Sequence, residues 1–128
     1  MSAALTLDLA ETLLRTPLPV MRSRWPKVVA LLARQSLEEA IDELWAATLP
    51  GMAATSARAQ LLCLAEFLGD EEVAADAAHA WGWLSGVCHH RAYEVAPTAV
   101  ELEAAVRAVR RLITAVDEHP DPPARSDR

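Results

Sequence analysis

Strand-forming residues are scarce in this 128-residue chain, which holds two Ile, one Phe and one Tyr against 26 Ala. Ala is the strongest helix former, whereas β-branched and aromatic residues populate strands, so the composition argues against an all-β fold. No stretch approaches 18 uncharged apolar residues, so no segment is suited to cross a bilayer as a helix. The N-terminus also lacks the basic start and apolar run of a signal peptide, and the expectation is a soluble cytoplasmic chain with no membrane partner. Cysteine is nearly absent. Cys63 and Cys88 are expected to be packing thiols kept apart in a reducing compartment. A Gly-rich phosphate loop, a CxxC pair and a His-acid-Ser arrangement are all missing, so the residues lean away from an enzyme, and no cofactor is implied. One Lys against eleven Arg, with abundant Ala, has the coding bias of a GC-rich bacterial genome.

What is present reads as helix. A chain of this length serves one hydrophobic core. Its 12 basic and 18 acidic residues give a net charge of −6, which disfavours a general DNA-coating role. Leu7, Ala10, Leu13 and Leu14 share one face of a short leading helix over 6–15, which the Thr16-Pro17-Leu18-Pro19 segment terminates. Pro26 suits a first helical turn. Val29, Ala33, Leu37, Ala40, Leu44 and Ala47 then lie on one arc of a long helix over 26–48, which Pro50-Gly51 ends. Thr55 or Ser56 caps a shorter helix with a stripe of Ala57, Leu61, Leu64 and Leu68, closed by Gly69. Asp70 opens a third helix reaching about Arg91, with a stripe of Val73, Ala77, Ala80, Trp81, Leu84, Val87 and Cys88, and Glu71, Glu72 and Asp76 complement its dipole. Thr98 and Glu101 have capping-box spacing before a fourth helix carrying Leu102, Ala105, Val106, Val109, Leu112, Ile113 and Val116. The economical arrangement is an all-α, antiparallel up-and-down four-helix bundle over 26–117. It is preceded by the leading helix and Pro-containing linker (1–25) and followed by a disordered tail (118–128), too polar to offset the entropy of ordering.

The far side of the third helix is the sharpest oddity. Ala75, Gly82, Gly86 and His89 share an arc flanked by His79, Trp83 and His90. Two mid-helix glycines cost roughly 1 kcal/mol each relative to Ala, a cost that makes sense where another backbone approaches closely. That backbone belongs either to the leading or second helix of the same chain or to a second copy. The expectation is a homodimer through Ala75, His79, Gly82, Trp83 and Gly86. Consecutive Cys88, His89 and His90 point about 100° apart and do not converge on one ion, and three turns separate His79 from His90 by about 16 Å, so no metal site is expected. Arg15, Arg22, Arg24, Lys27 and Arg34 form a basic strip with no acid among them. It suits a phosphate or acidic partner, or else solvated and paired side chains. Glu38, Glu39, Asp42 and Glu43 read as a solvent-facing acidic run.

Residues 31–41 (Leu-Leu-Ala-Arg-Gln-Ser-Leu-Glu-Glu-Ala-Ile) and the polar Cys88-His89-His90-Arg91-Ala92-Tyr93 end of the third helix resemble a HEPN domain, a helical bundle associated with nucleotidyltransferases, toxin systems and RNA cleavage. The likeness spans about 26–116. It implies a dimer with a polar groove at the third-helix ends, lined by Arg58, His89, His90, Arg91 and Tyr93, which supply hydrogen bonds and anion contacts. Active ribonucleases of that family carry Arg and His four to six residues apart near that helix end. Here no Arg precedes His79, His89 or His90 at that spacing. The resemblance therefore implies a non-catalytic dimer that binds a nucleotide, RNA or a cognate protein. The alternatives are a structural or regulatory dimer with no small ligand, and a divergent ribonuclease.

Overall fold

The computed structural model describes residues 2–16, 24–89 and 96–119, and every regular element among them is helical. Helix α1 spans Ala3–Arg15; it starts three residues before the expected point because the Ser2 hydroxyl accepts the Leu5 N–H at 3.2 Å. Helix α2 (Trp25–Thr48) carries Pro26 in its first turn, as expected. A single 3₁₀ turn over Pro50–Ala54, unforeseen in the sequence, then buries Met52. Helix α3 (Ala57–Leu68) is capped by Ser56 and ends at Gly69, whose φ of 77° is the left-handed conformation that glycine adopts without a Cβ penalty. Asp70 follows directly and accepts the Val73 N–H at 3.1 Å to open helix α4 (Glu71–Cys88). Helix α5 (Ala99–Glu118) begins with the anticipated capping box, Thr98 and Glu101 each accepting the other's backbone N–H. The tail beyond His119 and the His90–Val95 segment lie outside the described residues.

The all-α fold holds, and all five helices contribute to its core. Helices α1, α2, α4 and α5 pack around one core, and α3 packs against α4 and more lightly against α2, adding Leu61, Leu64 and Leu68 to the same buried cluster. Ala3, Leu7, Ala10 and Leu13 of α1 belong to the same buried cluster as Leu37, Leu84 and Leu112. The α1 stripe is apolar apart from Thr6 and is pinned at its start, where Ser36 Oγ donates to the Ala3 carbonyl at 2.6 Å and Thr6 Oγ1 to Glu39 at 2.9 Å.

Directions follow from polar contacts. Arg110 meets Asp8 at 2.7 Å and also Glu11, while Arg15 lies beside Glu103 and Arg107, so α1 and α5 run antiparallel. Partial burial pulls the Arg110 pKa down, but its hydrogen bonds and charge interactions with Glu11 and Asp8 outweigh that and leave it raised. Arg111 of α5 meets Asp76 of α4 at 3.3 Å. Near the end of α2, Ala47 faces solvent and Trp45 takes the core position, its ring edge-on to Phe67 of α3 at 5.2 Å. On α4, Val73, Trp81 and Cys88 are half-buried rather than core.

Candidate functional site

Because α3 flanks α4 on one side and α5 on the other, the face of α4 singled out in the sequence is a ridge between two grooves. Ala75, His79, Gly82, Gly86 and His89 are exposed, and Trp83 is half-buried. A Cβ placed on Gly82 or Gly86 would meet nothing within 4 Å. The intrachain explanation of the glycines is thereby removed, since neither α1 nor α3 presses its backbone on them.

The groove on the α5 side, about 290 Å³, is lined by Asp76, His79, Trp83, Glu101 and Arg111 among others, and an ion pair (Asp76–Arg111) already occupies part of its polar wall. The groove on the α3 side is larger, about 440 Å³, and is lined by Arg58, Leu61, Leu62, Ala78, Trp81 and Gly82. Its lip is Leu62, 80% exposed, the most exposed large hydrophobic residue of the described chain. The expected interface is thus divided: Gly82 opens toward α3, His79 and Trp83 toward α5.

Trp81 forms the groove's inner wall and is held from behind by α2. Arg34 stacks 5.5 Å above its ring, and its indole N–H reaches Glu38 at 3.5 Å. Arg34 and Glu38 also approach each other at 3.8 Å. The basic strip is dispersed by this arrangement: Arg34 is engaged in packing, Arg15 borders the α1–α5 groove, Arg24 and Lys27 are exposed at the start of α2, and Arg22 lies outside the described residues. The acidic run is divided as well. Glu38 bonds Trp81 and Glu39 bonds Thr6, which leaves only Asp42 and Glu43 exposed. A run of four acids on a helix covers more than one face, so its members meet different neighbours.

Of the polar residues expected to line a common groove, Arg58 and His89 are described and His90, Arg91 and Tyr93 are not. Arg58 sits level with Trp81 and Gly82, while His89 lies two turns further along α4, about 10 Å of rise away. The structure therefore does not gather these two at one point. Sequence reasoning missed Leu62 because it falls outside the i, i+3, i+4 core stripe of α3. The signal was there nonetheless: a large apolar residue on the polar side of an amphipathic helix.

Compared with protein families, curated proteins and solved structures, the chain has no match in any of the three. Among the described residues no helix is long and apolar enough to cross a membrane.

Proposed function

We propose that this protein is a non-catalytic helical interaction domain whose α3–α4 seam receives a protein partner. The observation that carries the reading is Leu62, exposed on the lip of a mostly apolar groove that the described residues leave open. A HEPN-like relationship, suggested by residues 31–41 and 88–93, is compatible with this role and adds nucleotide or RNA as competing ligands. The seam favours protein: its lining offers one cation, Arg58, and its only aromatic, Trp81, already carries Arg34. Nucleic-acid sites instead combine several cations with aromatics free to stack on bases.

Thermal melting with mono-, di- and polynucleotides, alongside incubation with labelled RNA, tests the reading. A ligand that prefers the native state raises Tm by mass action. The expected result is no shift and no cleavage above a buffer control; a rise in Tm that disappears in Arg58→Ala or His89→Ala overturns it.

A further inference from the structure

Helix α3 has three exposed residues, Arg58, Leu62 and Glu66, and they lie at i, i+4 and i+8 on one face. A cation and an acid thus stand equally far, about 6 Å of rise each, on either side of Leu62. A ridge of this composition is complementary to itself when reversed. We propose that α3 pairs antiparallel with α3 of a second copy of this chain, about a two-fold axis at Leu62, so that Arg58 faces the partner's Glu66 and Glu66 faces the partner's Arg58.

Two further features fit this occupant. Arg58 lies in the first turn of α3 and Glu66 in the last, while the first turn holds no acid and the last no base. Each charge therefore opposes the dipole of its own helix. An antiparallel partner reverses that relation, setting Arg58 beside the carbonyl end of the facing helix and Glu66 beside its amide end. A parallel pair would place like charges opposite each other, so orientation is selected by repulsion as well as attraction. The neighbouring groove leaves the approach open: Ala78 and Gly82 floor it with almost no side chain, so α4 does not hold the partner's α3 away from Leu62. In such an isologous interface the same surface serves both copies, and Leu62 meets its own counterpart at the axis.

This proposal rests on the reading of the α3–α4 seam as a protein-docking surface, but the two fail on different readouts, mass here and nucleotide-induced melting shifts there. Sedimentation of the full chain in low salt at rising micromolar concentration is expected to show a monomer–dimer equilibrium. Arg58→Glu and Glu66→Arg should each weaken it by about tenfold, since each sets like charges opposite one another at both ends of the pair. The double variant carries exchanged charges that pair again and should regain most of the loss, an outcome that damage to the fold would not produce. With the native cysteines replaced (Cys63→Ser, Cys88→Ala), Leu62→Cys should form an intermolecular disulfide on mild oxidation, and Leu5→Cys, exposed on α1, should not. A monomer mass throughout, a dimer unchanged by the charge variants, or a double variant as weak as the singles overturns the proposal.

Discussion

Gly86 shows how a single residue separates intrinsic helix preference from packing. It lies within α4, is exposed, and has open space where a Cβ would go. Gly86→Ala should therefore stabilise the chain by about 0.5–1 kcal/mol through reduced backbone entropy alone, measured as a higher urea midpoint with an unchanged slope. Because Gly86 lies off the α3–α4 groove lining, the same substitution should leave the sedimentation mass untouched. Trp45 is the opposite case: fully buried and edge-on to Phe67, its indole N–H has no hydrogen-bond partner among the described residues. An unpaired buried N–H costs about 1–3 kcal/mol, which is less than the about 3–5 kcal/mol lost on truncating a buried Trp to Ala, so its packing outweighs its polarity.

At the scale of elements, α1 is the helix whose role the sequence understated. Leu7 is fully buried and Leu13 nearly so, worth about 1.5–3 kcal/mol each, and Ala3, Thr6 and Ala10 add to them. Domain stability is typically about 5–15 kcal/mol in total. A chain beginning at residue 24 should accordingly lose cooperative thermal unfolding and near-ultraviolet dichroism while retaining helical far-ultraviolet signal, and a sharp two-state transition would contradict the packing described. The half-exposed Arg110 pairs with Asp8 and Glu11 add little beside this burial. Helix existence and caps were legible because they are local: Ser56, Gly69, Asp70 and the Thr98–Glu101 box act within a few residues. How extensively each helix packs was not, since the apolar stripes of α1 and α3 read alike and only tertiary packing decides how many neighbours each one meets. Likewise the glycines of α4 were visible as an anomaly, but their exposure was not, because sequence spacing gives a face without saying what covers it.

At the scale of the whole molecule, α3 is packed less extensively than the other four helices, meeting α4 and, lightly, α2. Stability in such a body is uneven, and segments with less packing open at lower free energy than the core. Backbone amides of α3 should exchange with solvent before those around Leu37, Leu84 and Val109, as measured by native-state hydrogen exchange. Equal protection throughout would show instead that α3 is an inseparable part of the cooperative unit.

The edge-on seat of Trp45 against Phe67 turns that unevenness into a light signal. Trp25, Trp81 and Trp83 are only half-buried, so Trp45 is the one indole shielded completely from water, and part of its shield is α3. Any lifting of that helix shifts the Trp45 emission to the red before the bundle melts, giving the protein a built-in fluorescent reporter of its own loosest joint.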